Sequence, residues 1–362
     1  FSGADFFLIT ISTGDLEAME HDLKIPESYR IYQTVGDTVG PGGWARALRN
    51  VPVFAGLARS MERYAPGAVV LNYTNPLAAL TRTFYAVSRL RTVGLCHGLF
   101  ETYDALMNVF GLDGEEEIKA RFGGTNHFFW ILEMQIRGED GYALLRNKLR
   151  DRKLAELLSA GSDNRTEYRS GHRVCSELFA ATGYLPYIAD RHTSEFLPGY
   201  LTGDARNLEK YRLKRTTIEE RREHKRKERE RLSRYLDGTE TLPNRRSREA
   251  AANIVDAFAR GSEFSDVVNV PNSGQIRNLP GGSVVETLGV INRLGFTPLA
   301  VGDLPEPILN LVLPHVNNQN LIVEAALEGN SDKALYALHN DRLCSHLTWS
   351  EIRDMGQRLL EA

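Results

Sequence analysis

The chain has 362 residues, of which 42% are hydrophobic and 25% are charged, and its formal net charge is −3. This length allows two domains with a large core, and the nearly balanced charge gives no reason to expect nucleic acid or an anionic membrane as a partner. No apolar stretch approaches the roughly twenty residues needed to span a bilayer. The three cysteines are widely spaced and odd in number, which argues against a disulfide framework and predicts a reducing, cytoplasmic setting.

The first residues run directly into an apolar segment, 6–11, which we interpret as a buried strand. Phe1 is not an initiator methionine, and the sequence shows no signal peptide before the strand. We therefore expect the chain to begin in the middle of a fold.

Apolar runs and helically spaced segments alternate over the first third of the chain. Strands are predicted at 6–11, 68–73, 92–96 and 128–135, and helices at 51–64, 77–87 and 101–110. Because strands separated by helices favour parallel pairing, this pattern predicts an α/β fold with a doubly wound parallel sheet.

A glycine-rich segment, 36–43, precedes the helix predicted at 51–64. Its backbone N–H groups could bind an anion or a sugar at a helix N-terminus, or the segment could be an ordinary loop with tight turns. The segment lacks the spacing of a dinucleotide-binding fingerprint and does not directly follow a strand. The pattern alone leaves both interpretations open.

The remainder of the chain is less regular. Charges of both signs alternate from 209 to 234, which is typical of a solvated helix with i,i+4 ion pairs and not of a nucleic-acid surface. Short strands are predicted at 267–272 and 284–286, and 305–362 has helical periodicity.

Two apolar runs end in potential metal ligands, Cys96 in one and His127 in the other. If both are the carboxyl ends of parallel strands, the two side chains face one crevice. A thiolate and an imidazole make an incomplete metal site that substrate or water can complete. The alternative is that the cysteine is simply a small buried hydrophobe.

Polar side chains mark two further places. Asn75 is followed by a proline, which places its amide at a strand end or in a simple turn. A dense patch then holds Asp190, Arg191, His192 and Glu195. Such a cluster can supply a base and an anion clamp, or it can be a solvent-exposed ion-pair loop.

Taken together, these segments resemble the NAD- and manganese-dependent glycosidases of glycoside hydrolase family 4. The motifs that carry the resemblance follow the family's order: GDTVGPGG at 36–43, NYTNP at 72–76, GLCHG at 94–98, GTNH at 124–127, DRHTSEF at 190–196 and NVPNSGQIRNLP at 269–280. The similarity covers essentially the whole chain but starts at the family's fourth Rossmann strand. The glycine loop for NAD is therefore absent from this sequence, and no NAD-binding residue can be assigned.

The resemblance implies a Rossmann-like domain, of which residues 1–130 are the remainder. A lactate-dehydrogenase-like α+β domain for substrate binding, catalysis and oligomerisation would follow at 131–362, in a homodimer or homotetramer. Among the residues, the resemblance assigns Cys96 and His127 to the metal, Asn75 and Asn126 to the substrate, and His97 to the general acid. The base would be Asp190 as first choice or His192 as second.

The mechanism that the resemblance implies begins with oxidation of the sugar at C3 by NAD, while Mn²⁺ or another divalent metal polarises the sugar oxygens. A base then removes the C2 proton, the glycosidic oxygen is eliminated, water adds and the hydride returns, outside the usual two-carboxylate scheme. The nearest branch is that of the α-galacturonidases, with Arg191 binding the uronate carboxylate, assisted by Arg82 or Arg46. Each of these arginines could equally be a structural ion-pair partner.

Three alternatives to an α-galacturonidase remain open. The first is an α-galactosidase of the same family. The second is a dehydrogenase of the lactate or malate type, against which Cys96 argues. The third is an inactive or assembly fragment that lacks the NAD loop.

Overall fold

The computed structural model describes residues 1–160, 171–244 and 247–362. Within these residues one ten-stranded sheet contains β1 (Phe6–Ile9), β2 (Val69–Asn72), β3 (Arg91–Gly94), β4 (Ile118–Thr125), β5 (Phe128–Ile136), β6 (Glu139–Asp140), β7 (Leu185–Pro186), β8 (Phe264–Pro271), β9 (Val284–Asn292) and β10 (Gly295–Pro298).

The α-helices of the described chain surround this sheet. They are α1 (Leu16–Ser28), α2 (Gly40–Tyr64), α3 (Leu77–Val87), α4 (Gly98–Phe110), α5 (Gly141–Lys148), α6 (Leu154–Ala160), α7 (Arg173–Thr182), α8 (Asp190–Thr193), α9 (Arg206–Lys210), α10 (Ile218–Leu236), α11 (Ala251–Arg260), α12 (Glu306–Glu328), α13 (Ser331–His339) and α14 (Trp349–Glu361). None of them is both long and apolar enough to cross a membrane.

The sheet has a parallel part and an antiparallel part. Its strand order is β1-β2-β3-β8-β9-β4-β5-β6, with β10 paired to β9 and β7 paired to β5. β1, β2 and β3 pair in parallel and are connected through helices, as in a Rossmann-like fold. From β8 onward the pairings are antiparallel. The predicted α/β class and its Rossmann-like portion are confirmed.

The prediction that 128–135 extends the parallel sheet is wrong. β5 follows β4 after the two-residue turn Asn126-His127, and the two strands pair antiparallel. A parallel partner requires a crossover of a dozen or more residues, which a turn of this length cannot provide. The sequence pattern did not reveal β4, because Gly123 and Gly124 interrupt its apolar alternation.

Other elements agree with the sequence pattern, with shifted ends. The helix predicted at 77–87 is α3, whereas α2 begins at Gly40 and not at Val51. The second half of the glycine-rich segment is therefore the first turn of α2, where Pro41 is compatible with the helix because no N–H is needed. The charged segment forms α10, and 305–362 is mainly helical. The domain boundary predicted at 130 falls inside β5 and stays a prediction.

Helix α2 is the main anchor of the first third of the fold. It packs against α3 and α12. Phe54 and Phe84 meet edge to face with ring centroids 6.0 Å apart. Near the start of the helix, buried Trp44 donates from Nε1 to the Ala334 carbonyl at 2.8 Å. This packing fixes the end of α2 that the glycine-rich loop enters.

Candidate active site

Asp37 follows a tightly constrained turn of the glycine-rich loop. Gly36 has a φ of +73°, and a Cβ there would lie 2.5 Å from Leu23 Cδ2, so a side chain would strain the backbone and displace Leu23. The carboxylate of buried Glu195 accepts hydrogen bonds from the N–H groups of Val35 and Gly36 at 2.7 and 2.9 Å. The backbone that leads into Asp37 is therefore held by another segment of the chain.

His127 is the second residue of the β4–β5 turn and has a φ of +62°. A left-handed backbone outside glycine is uncommon and is often found at functional sites. The Thr38 hydroxyl lies 3.1 Å from His127 Nδ1 and donates to Asp37 Oδ1 at 2.8 Å. This hydroxyl links the imidazole to the carboxylate.

His192, on the short helix α8, completes a three-residue group with Asp37 and His127. The potential ligand atoms of the three side chains all lie within 4.8 Å of one another, and the two imidazole centroids are 4.0 Å apart. Among the described residues, the buried Nδ1 of His192 has no hydrogen-bond partner. One carboxylate and two imidazoles are a suitable donor set for a divalent transition-metal ion, so the residues fit such a cation.

The charges in this group favour cation binding. Burial would raise the pKa of Asp37, but the attraction of His192 and His127 in their protonated forms and of Arg46 outweighs it, and the pKa lies below its usual value. Burial lowers the pKa of His127 and that of His192. An ionised carboxylate beside two neutral imidazoles is the protonation state that binds metal ions.

Asn75 and Arg46 lie beside Asp37. The amide of Asn75 donates to Asp37 Oδ2 at 3.4 Å. Arg46 donates from Nε to the Asn75 carbonyl at 3.0 Å and from Nη2 to Ser12 Oγ at 3.1 Å. Asn75 therefore lies beside Asp37 together with a guanidinium, and its role as a substrate contact stays a prediction.

Cys96 lies outside the three-residue group, in a different polar environment. Its sulfur lies next to the side chain of Asn126, which favours the thiolate form against the effect of burial. The amide of Asn126 also donates at 3.0 Å to Glu286 Oε2, which accepts a second bond from Asn269 at 2.8 Å. Burial, with a further contribution from Glu286, raises the pKa of the Cys96 thiol, and burial raises the pKa of Glu286 to about 7. The thiol must lose a proton before it can bind a metal ion.

Asn126 is completely buried and contacts protein groups on its amide side. In the described part of the chain, neither Oδ1 of Asn126 nor Oε1 of Glu286 has a hydrogen-bond partner.

His97 differs from Asn126, because more than half of its side chain is exposed and its Nδ1 lies 3.4 Å from Glu249 Oε1. Its charge still contributes to the lowered pKa of His127, so it borders the site.

Asp190, the first choice for the base, points away from the three-residue group. Its buried carboxylate accepts the N–H groups of Val174 and Cys175 at 3.1 and 2.9 Å, at the start of α7. Burial raises the pKa of Asp190 to about 7, although these bonds oppose the shift. The geometry favours the second choice, His192, as the base.

Arg191 binds backbone and hydroxyl oxygens of the protein itself. Its Nε donates to the Lys214 carbonyl at 2.7 Å, and Nη2 donates to the Thr34 carbonyl at 3.4 Å and to Thr216 Oγ1. The side chain is 9% exposed. These contacts favour the structural alternative for Arg191 over binding of a substrate carboxylate.

Sequence reasoning did not single out Asp37, Glu195 as a loop anchor, or Glu286. Asp37 is in the quoted glycine-rich motif, and an acidic residue flanked by glycines was an available signal. Glu195 was noticed only as a member of a charged patch. Glu286 was the last residue of a predicted strand, and no local pattern marks a buried carboxylate there.

Comparisons with known proteins agree with the resemblance. Residues 1–112 match the model of the family 4 glycosyl hydrolases, and residues 122–344 match that of the C-terminal domain of the same family. An α-galacturonidase from Thermoanaerobacterium saccharolyticum is 34% identical over 369 residues, which cover 99% of this chain and 79% of the relative.

Solved structures show the same fold. The crystal structure of lplD from Bacillus subtilis superposes with a TM-score of 0.89 at 33% identity, over 99% of this chain and 83% of that one. A 6-phospho-β-glucosidase from Thermotoga maritima, solved with manganese, NAD⁺ and glucose 6-phosphate, has a TM-score of 0.76 at 21% identity, over 99% of this chain and 81% of that one.

Proposed function

Because this chain belongs to family 4 of the glycosyl hydrolases, we propose that it hydrolyses α-galacturonides and uses NAD and a divalent metal ion such as Mn²⁺. The observation that carries the proposal is the convergence of Asp37, His127 and His192, of which the first two are the proposed cation ligands and the third is the proposed base. The α-galacturonidase similar over nearly the full chain supports the substrate class. The solved relative that holds manganese and NAD⁺ supports the cofactors.

When bound, NAD accepts and returns a hydride at C3 of the sugar, and the cation polarises the neighbouring oxygens as a Lewis acid. We assign the cation to His127, Asp37 and, after loss of its proton, Cys96. No residue of this chain is assigned to NAD.

His192 is the proposed base for the C2 proton. Its imidazole is neutral near pH 7 because burial lowers its pKa, and in the described residues its Nδ1 has no hydrogen-bond partner. A neutral imidazole next to the cation ligands can accept a proton from a sugar bound there. His97, at the exposed rim of the site, is the proposed general acid for the leaving glycosidic oxygen.

Arg46 is the proposed partner of the C6 carboxylate, in place of Arg191. It is partly exposed and lies next to Asp37, where it donates to the Asn75 carbonyl and to Ser12 Oγ, whereas the Arg191 side chain is buried and donates to oxygens away from Asp37. Arg82 also has protein partners, since it donates to the Gly282 carbonyl at 2.8 Å and lies 3.5 Å from Glu324. A planar guanidinium matches the two oxygens of a uronate.

The proposal is tested by incubating the protein with an aryl α-galacturonide, NAD and Mn²⁺ under reducing conditions, with the matching α-galactoside as control. We expect cleavage of the galacturonide only when both cofactors are present, and deuterium at C2 of the released sugar when the reaction runs in D₂O. Full activity without NAD, or a product without C2 deuterium, would contradict the proposal. Preferential cleavage of the galactoside would move the substrate to the galactosidase branch.

Arg46→Gln tests the carboxylate assignment, with Arg191→Gln as matched control. Loss of a hydrogen bond to a charged group costs about 1.5–3 kcal/mol, so Arg46→Gln should lower kcat/KM on the galacturonide roughly 10–100-fold and change it much less on the galactoside. Arg191→Gln should lower kcat/KM on the galacturonide and kcat/KM on the galactoside by the same factor. A galacturonide-specific loss in Arg191→Gln alone would return the carboxylate to Arg191.

A further inference from the structure

Two chain segments that carry the site are joined away from the ligand atoms. The first is the loop 34–37, which ends at Asp37, and the second is 190–196, which contains His192. Three buried residues, Glu195, Arg191 and Thr34, make the connection, and we call them the loop clasp.

Glu195 is the centre of the loop clasp. Its Oε1 accepts the N–H groups of Val35 and Gly36 at 2.7 and 2.9 Å and lies 3.2 Å from Thr34 Oγ1. The side chain is 1% exposed, and among the described residues its Oε2 has no hydrogen-bond partner. Burying a carboxylate is costly, and here one oxygen holds both the backbone that leads into Asp37 and the Thr34 hydroxyl.

The other two members of the clasp reinforce the same junction. The Thr34 hydroxyl donates to the Arg191 carbonyl, and the Arg191 guanidinium donates back to the Thr34 carbonyl at 3.4 Å. Both segments are therefore joined in each direction, one residue before His192 and three residues before Asp37. A shift of either segment would break several of these bonds together.

We propose that Glu195 is a positioning residue, which holds the loop that ends at Asp37 against the segment 190–196 and, by fixing the position of Asp37, tunes the affinity of the site for its cation. Glu195 does not contact the cation ligands themselves, but acts through the backbone at Val35 and Gly36. Outer partners of this kind orient the groups that bind a metal ion, and their loss typically lowers metal affinity about 10–100-fold. The proposal rests on the proposed cation site.

Asp190 provides a matched control within the same segment. Like Glu195, it is a buried carboxylate that accepts two backbone N–H groups, and burial raises the pKa of both to about 7. It differs in its target, since it holds the start of α7 and not the Asp37 loop. Asp190→Asn therefore reports the cost of losing such an anchor while it leaves the donors and acceptors of the clasp in place.

The experiment measures Mn²⁺ binding to the full chain from the electron paramagnetic resonance signal of free Mn²⁺, for the wild type, Glu195→Gln, Thr34→Val and Asp190→Asn. We expect Glu195→Gln to weaken Mn²⁺ binding about 10–100-fold and Thr34→Val to weaken it a few-fold. Asp190→Asn should lower Tm and leave the affinity within about 2-fold. Two outcomes would overturn the positioning role. One is an equal loss of Mn²⁺ affinity in Glu195→Gln and Asp190→Asn. The other is a folded Glu195→Gln that binds Mn²⁺ as tightly as the wild type.

Crystal structures of the wild type and of Glu195→Gln without added metal separate this inference from the proposed function. We expect the ligand atoms of Asp37 and His127 to move further apart in the variant than the 4.8 Å that bounds them here. Unchanged positions would overturn the inference even if the wild type binds Mn²⁺. A wild type that binds no Mn²⁺ would overturn the cation site, and with it the tuning of affinity, whatever the variant's structure shows. If Glu195→Gln does not fold, Mn²⁺ affinity and the crystal structure are measured for Thr34→Val instead, and they decide whether the loop clasp positions Asp37.

Discussion

His127 is flanked by two polar groups that respond to burial in opposite ways. The carboxylate side consists of Asp37, Thr38 and His192, and the thiol side consists of Cys96, Asn126 and Glu286. On the carboxylate side, burial is outweighed by the protonated forms of His192 and His127 and by the Arg46 guanidinium, which keep the pKa of Asp37 below its usual value. On the thiol side, the groups that oppose burial of Glu286 are the neutral amides of Asn126 and Asn269, and burial raises the pKa of Glu286 to about 7 and also raises that of the Cys96 thiol.

The comparison shows that the partners of a buried acid, and not burial alone, decide its charge. Without a metal ion, the carboxylate side is already in the form that binds a cation. The thiol side is in its protonated form and has to release a proton on binding. The next three predictions test this difference, beginning with the largest expected effect.

His192→Asn tests whether the carboxylate side supplies a base or a third ligand. Loss of a positioned base typically costs 10²–10⁴-fold, so we expect kcat to fall by about that factor while Mn²⁺ affinity changes little. The variant should also abolish exchange of the C2 proton with D₂O. A parallel loss of Mn²⁺ affinity would instead identify His192 as a ligand, and a larger kcat loss in Asp190→Asn would return the base to Asp190.

Asp37→Asn and Cys96→Ser compare the two sides directly by Mn²⁺ affinity at several pH values. Because loss of an outer partner already costs up to about 100-fold, each change to a direct ligand should weaken binding by roughly that factor or more. In the wild type, affinity should rise about tenfold per pH unit, since Cys96 releases one proton on binding. Cys96→Ser should remove this slope and keep the fold, whereas Asp37→Asn should retain it. If the Mn²⁺ affinity of the wild type does not change with pH, the Cys96 thiolate is excluded as a ligand.

The smallest effect concerns stability and the thiol side. The pKa of Glu286 is raised in the folded state, so its protonated form stabilises the fold, and this contribution is lost as pH rises from the usual glutamate range to about 7. Within that window Glu286 should lower the free energy of unfolding by up to about 1.4 kcal/mol per pH unit. Denaturant unfolding of Glu286→Gln should give a free energy of unfolding that falls less steeply with pH, by that amount. Identical slopes for the variant and the wild type would contradict a protonated Glu286.

Local sequence patterns predicted the regular part of the fold well. The helix at 77–87 and the parallel strands β1 to β3 follow directly from apolar periodicity. The β4–β5 hairpin was missed, because glycines break the pattern of β4 and a two-residue turn leaves little trace in an apolar sequence. The resemblance supplied the family, which no single motif could have supplied.

The site was predictable as a set of segments but not as a set of roles. Asn75, Cys96, His127 and His192 were named from their positions after strands or within polar patches, and the structure places Asn75, His127 and His192 around Asp37. Asp190 and His192 are only two residues apart, and sequence cannot show which of them faces the site. The same holds for Arg191, whose partners lie in segments distant along the chain.

The order of the strands has a consequence for dividing this protein into pieces. β3 and β4 are close in sequence, but β8 and β9 lie between them in the sheet. A fragment that ends before β4 would carry Asp37 and Cys96 with β3 left as an open edge, and the complementary fragment would carry His127 and His192 with β8 open. Open strand edges readily recruit other chains, so we expect both fragments to aggregate more readily than the whole. Co-expression of the two fragments, and not separate purification, is the way to recover a site assembled from both.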